Sequence, residues 1–199
     1  MLPAEELSQL FGELAHTLDF ASVYTRQNPF SEGDAIQKAP VGDKISVTMK
    51  GQLKGSTASA LFDGDGTTLK DTKVIENGLV CAYFGGDRFA QYLGKNATGA
   101  LACYSVDCGT LTDSELRSTP YFECVSMSGL QLDVYNDYIG GEVRLAYYFD
   151  GEKKIPITGI SISGKLSEAL NSIRLSADST QSGRYSGPKL ARFEGIEIV

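Results

Sequence analysis

The chain has 199 residues and a net charge of −7, from 25 acidic against 18 basic side chains. That length holds one large domain or two small ones, and 42% hydrophobic with 22% charged residues is an ordinary globular composition. The acidic balance and the lack of a basic run argue against a nucleic-acid partner, because the chain would repel a phosphate backbone.

Residues 4–18 form the clearest predicted helix. Leu7, Leu10, Phe11, Leu14 and Leu18 recur at helical spacing. Pro3 suits its first turn, and the pattern can run on to about Tyr24. Residues 28–34 read as loop. Residues 44–50 alternate with period two and predict a half-buried strand. Asn77-Gly78 between β-rich runs predicts a hairpin with a type I′ turn. Gly85-Gly86 ends its second strand, and Asp87 is a candidate cap for a short helix carrying Phe89, Ala90 and Leu93.

Residues 101–106 suit a strand. Residues 112–117 have capping character but few apolar anchors. Residues 120–127 predict a strand ended by Ser128-Gly129, with a separate strand over 130–135 and a turn at Asn136-Asp137. A strand over 142–149, a turn at Asp150-Gly151 and a strand over 154–163 follow. Pro156 puts the start of the last at a sheet edge. Residues 164–173 predict a short helix. Residues 174–178 suit a strand and 179–188 a loop. Residues 189–193 and 195–199 look like a closing hairpin. The expected fold class is α+β: one domain over 1–199, with a mainly antiparallel sheet or barrel and about three short helices. No apolar run reaches the ~20 residues that span a bilayer, so no membrane partner is expected. The first residues lack the basic and apolar regions of a signal peptide.

The chemistry candidates are few. His16 is the single histidine; a solvent-facing or helix-packed role is expected, since a zinc-protease helix needs a second histidine one turn away. Cys81, Cys103, Cys108 and Cys124 are irregularly spaced. Without a secretion signal they are expected to be reduced, buried core residues, although the gap between Cys103 and Cys108 loosely fits a zinc pair. Asp63-Gly64-Asp65-Gly66 resembles a calcium loop, but Thr68 and Val74 stand where glycine and glutamate are needed. It reads as a polar turn whose Asp63 and Asp65 could meet a peptide amine. Gly159 to Lys165 matches a P-loop spacing, but Leu166 replaces the magnesium-binding hydroxyl and the intervening residues alternate like a strand. No G-x-S-x-G elbow is present. Arg174, Arg184, Lys189 and Arg192 make a modest basic tail, either a solvated surface or a dock for an acidic partner.

The order of motifs carries a resemblance. The acidic-glycine loop precedes Ile75-Glu76-Asn77-Gly78, a helix ending in Leu93-Gly94, and Ala97-Thr98-Gly99-Ala100. Later come Gly141-Glu142-Val143-Arg144, Asp150-Gly151, Pro156-Ile157-Thr158-Gly159, Leu166-Ser167-Glu168-Ala169-Leu170, and a closing block from Ser186 to Val199. This chain resembles the C-terminal half of the TldD/PmbA proteins, peptide-processing metallopeptidases and their partner subunits, also described as modulators of DNA gyrase. Members of that family are about twice this long, as two-domain sizes allow.

The resemblance implies that a catalytic member binds zinc through an H-E-x-x-x-H helix and a cysteine in the last loop. This sequence has neither, and residues 176–188 contain no cysteine. No catalytic, cofactor or metal residues are therefore expected. The implied role is a cytoplasmic, non-catalytic PmbA-like subunit. Its expected partners are a TldD-type metallopeptidase and a peptide substrate, in a homo- or heterodimer. The alternatives are a fragment of an active metallopeptidase with its ligands elsewhere, and a stand-alone peptide-binding scaffold.

Overall fold

The computed structural model describes all 199 residues. In chain order the elements are β1 (Leu2–Pro3), α1 (Ala4–His16), α2 (Phe20–Tyr24), β2 (Val47–Lys50), β3 (Thr72–Glu76), β4 (Leu79–Val80) and α3 (Asp87–Leu93). Then come β5 (Cys103–Val106), α4 (Asp113–Leu116), β6 (Tyr121–Asp133), β7 (Tyr138–Phe149), β8 (Lys154–Ile157), β9 (Ile160–Lys165) and α5 (Leu166–Ser172). The chain closes with β10 (Arg174–Leu175), β11 (Ser179–Ser182), β12 (Tyr185–Pro188), β13 (Leu190–Arg192) and β14 (Ile196–Ile198).

The strands make three sheets. One has the order β11-β12-β5-β2-β3-β4, antiparallel except where β12 runs parallel to β5. The second has the order β14-β9-β7-β6, with β8 also pairing β7. The third joins β1, β13 and β10. Helix α1 packs against strands of all three. Its Leu7, Leu10 and Phe11 are fully enclosed, and one continuous apolar core links this helix to strands of both large sheets. Each such side chain contributes about 1.5–3 kcal/mol on burial. The fold class is α+β, with no closed barrel. Three helices have seven or more residues, as expected, and α2 and α4 are two shorter additions.

Several expected boundaries move. The first helix stops at His16, and α2 starts afresh because Asp19 caps it, accepting from the Ala21 amide at 2.7 Å. At α3 the cap is Gly86, not Asp87, which lies in the first turn. Residues 44–46 precede the second strand rather than belonging to it. Lys165 and Gly164 extend β9 instead of opening α5. The α4 residues do form a capping box, with Thr112 and Glu115 satisfying each other's backbone amides.

The larger departure is at Ser128-Gly129. Strand β6 does not end there. It runs through with register shifts, and Gly129 (φ 139) accommodates the irregularity. The free edge of β6 is closed by α1 side chains. The Leu130 amide donates to Gln9 Oε1 at 3.2 Å, while Gln9 Nε2 donates back to the Leu130 carbonyl at 2.5 Å. The side-chain amide thus acts as one residue of a neighbouring strand. The last two segments are not a hairpin: β13 joins β1 and β10, and β14 joins β9. The Asn77-Gly78 turn is as expected, with φ of 52° and 81°. Pro156 lies in β8, which pairs only with β7.

Candidate functional site

The site begins with a glycine inside a helix. Gly12 lets Tyr104 of β5 approach the α1 backbone; a Cβ there would lie 2.9 Å from the tyrosine oxygen. The Tyr104 hydroxyl donates to the Ser8 carbonyl one turn earlier. Its ring meets that of Tyr185 at 5.8 Å and 62°, an edge-on contact. Tyr185 in turn donates to the Pro188 carbonyl at 2.8 Å. Burial pushes the Tyr104 hydroxyl up to about 12, despite its bond to Ser8, and raises Tyr185 as well. Both remain neutral at ordinary pH. They are walls, not bases.

These residues line a cleft of about 670 Å3 between α1, the segment before β5 and the tip of the β11–β12 hairpin. Glu13, His16 and Asp19 stand on the helix side. Glu13 is exposed and accepts from Gln9 Nε2 at 3.0 Å. Burial raises the Asp19 carboxyl above its usual range, opposed by the Ala21 amide and by His16. Opposite lie Ala100, Leu101 and Ala102. Their position is set by Asp63. That carboxylate accepts from the amides of Asp65 at 3.0 Å, Thr67 at 2.9 Å and Ala100 at 3.0 Å. Desolvation works against its charge, but the amides outweigh it and hold it below the usual range. The third wall is Ser182, Gly183 and Arg184.

The sequence candidates distribute unevenly. His16 is exposed and enters the cleft. The acidic-glycine loop is a turn, as expected, but Asp63 spends its oxygens on backbone amides instead of waiting for a peptide amine. Cys103 and Cys124 are buried, whereas Cys81 and Cys108 are exposed, so the expectation of four core thiols holds for two. The exposed pair lie at strand ends and in loops, where apolar sequence neighbours do not guarantee cover. No pairing exists; all are free. The basic tail disperses. Arg174 pairs with Asp43 at 3.6 Å, Lys189 with Asp113 at 3.9 Å, and Arg192 donates to the Leu116 and Pro120 carbonyls. Only Arg184 of the four reaches the cleft. No sequence motif marks Tyr104 or Tyr185. The available signal was Gly12 itself, a glycine inside a strong helical pattern, which asks for a packing reason.

A catalytic zinc takes three protein ligands and keeps one position open. The cleft offers one imidazole and two carboxylates, one of which already caps α2. Nowhere in the chain do three or more His, Cys, Asp or Glu side chains gather closely enough to share a metal ion. The residues present do not fit a catalytic zinc centre.

The fold has relatives. The chain is 25% identical over 169 residues to an uncharacterized protein of Methanocaldococcus jannaschii, covering 79% of this chain and 40% of that one. Among solved structures, a Thermotoga maritima protein described as a candidate modulator of a DNA gyrase superposes with a TM-score of 0.81 at 15% identity, over 100% of this chain and 48% of that one. TldE from Thermococcus kodakarensis gives 0.75 at 15% identity, over 93% of this chain and 46% of that one. The chain thus spans less than half the length of each of these relatives. At such identity the structures establish the fold alone. The family profile described as the PmbA/TldA metallopeptidase C-terminal domain matches residues 1–199. The chain belongs to the PmbA/TldA metallopeptidase family, as a match to its C-terminal domain.

Proposed function

We propose that this chain is a non-catalytic, PmbA-like component of a cytoplasmic TldD-type peptidase system, which pairs with the metal-bearing subunit and helps enclose its peptide. One observation carries the reading. Helix α1 and the β11–β12 hairpin, which covers the closing segment where the family resemblance implies a cysteine ligand in a catalytic member, face each other here across a cleft. That cleft presents tyrosine walls, a glycine tip and an arginine, and no metal-ligand set. Hydrolysis by zinc-bound water needs such ligands to hold the ion and to lower the pKa of its water. The cleft has a volume of about 670 Å3 and a polar rim, which suits holding an extended chain. Relatives named for a TldE subunit and for gyrase modulation are consistent with membership of the same system.

The test is co-expression of the tagged chain with a family member carrying H-E-x-x-x-H, followed by size exclusion. Co-elution as a stoichiometric complex is expected. Separate elution of two folded proteins at micromolar concentration would refute the pairing and favour the stand-alone scaffold.

A further inference from the structure

We propose that the tip of the β11–β12 hairpin is a carboxylate receptor that anchors the free C-terminus of a peptide lying in the cleft. The proposal rests on the peptide-holding role above and names the end of the peptide that the cleft reads.

Three donors without a partner in the chain lie at the tip. Arg184 is exposed, lines the cleft, and makes no ion pair within the chain. The three other basic residues of the C-terminal region are held by Asp43, Asp113 and the carbonyls around α4. Gly183 and Arg184 form the two-residue loop between Ser182 and Tyr185, which are paired. Neither loop amide donates to any group of the chain, while the Arg184 carbonyl accepts from the Tyr104 amide of β5 at 2.9 Å. Gly183 has φ 55, while Arg184 is not left-handed. Two adjacent backbone N–H groups without an acceptor in a tight turn are fixed dipoles that suit an anion.

The rest of the cleft selects which anion. Glu13 and Asp19 line the helix side, so a negative group is repelled from there and drawn to the hairpin. Two carboxylates in one cleft also disfavour a dianionic phosphate, whereas a singly charged carboxylate matches the planar guanidinium fork. The walls along which the peptide body would lie are Gly12, Ala100, Ala102 and Tyr104, small or aromatic and uncharged at neutral pH.

The experiment is fluorescence anisotropy with the 199-residue chain and a short neutral peptide labelled at its N-terminus. One form has a free C-terminal carboxylate, a second is C-terminally amidated, and a third is amidated with one internal glutamate. The free acid is expected to bind about tenfold more tightly than the amide, the worth of a charge-assisted bond. Arg184→Gln is expected to erase that difference with an unchanged thermal melt, and Arg184→Lys to restore part of it. Equal binding of acid and amide overturns the proposal, as does an acid preference that survives Arg184→Gln. So does tight binding of the glutamate peptide, which would mean that any carboxylate serves, and so does no binding of any form. Co-elution with the partner without an acid preference would leave the pairing intact and remove the anchor, so the two failures are distinguishable.

Discussion

At Gly12 two preferences compete. Alanine is favoured over glycine inside a helix by about 1 kcal/mol. Here, however, a Cβ would press on a buried tyrosine oxygen at 2.9 Å. Overpacking of that kind costs about 1–3 kcal/mol. Gly12→Ala is therefore expected to lower stability in urea unfolding by about 1 kcal/mol. With Tyr104→Phe the nearest ring atom would lie 3.4 Å away, an ordinary contact, so adding Gly12→Ala to Tyr104→Phe is expected to stabilise. Additive loss in the double variant would show that the tyrosine does not fix this glycine. The same tyrosine makes a pH prediction. Its hydroxyl is raised from about 10 to about 12 by burial, so the native state holds the proton more tightly than the unfolded chain does. That contribution is complete below pH 10 and is lost between pH 10 and 12. Tyr104→Phe should flatten the fall in stability across that window; an unchanged alkaline slope would contradict the assignment.

At the scale of elements, single polar side chains tie segments that lack regular partners. Gln37 is buried, and its amide bridges three backbone groups. It donates to the Leu170 carbonyl at 2.6 Å and the Asp43 carbonyl at 3.0 Å, and accepts from the Ile45 amide at 2.8 Å. It also packs on Gly78 of the β3–β4 turn, where a Cβ would lie 2.7 Å from its oxygen. Gln37→Leu leaves two buried groups and one half-buried carbonyl unsatisfied and is expected to cost about 2–4 kcal/mol in chemical denaturation. A cost near zero would mean that water replaces it. Such ties explain what the sequence conceals. The α1 stripe and the Asn77-Gly78 turn were readable because their signals are local: a 3.6-residue period and two positions that tolerate positive φ. The continuity of β6 was not, because Ser128-Gly129 looks like an end unless Gln9, far away in sequence, is known to close its edge. The closing hairpin was misread for a related reason. Residues 190–192 and 196–198 sit side by side in sequence but complete two different sheets. Of the cleft, His16 and Arg184 were visible as residue types. Their meeting depends on β12 running parallel to β5, a long-range pairing with no local signature.

For the whole molecule, we propose that these 199 residues shape and hold a peptide but do not cut it. Family membership alone does not decide this, since the family includes metallopeptidases. The donor set bears on it more closely: the chain has one imidazole, and no three His, Cys, Asp or Glu side chains gather closely enough to share a metal ion. The most direct measurement is zinc per chain by elemental analysis of the purified protein, read together with turnover of an unstructured peptide, first alone and then after adding an H-E-x-x-x-H partner. The expected result is far less than one zinc per chain and no cleavage alone, with cleavage and zinc appearing together when the partner is present. One tightly held zinc per chain, with peptide turnover by the isolated protein, would contradict it.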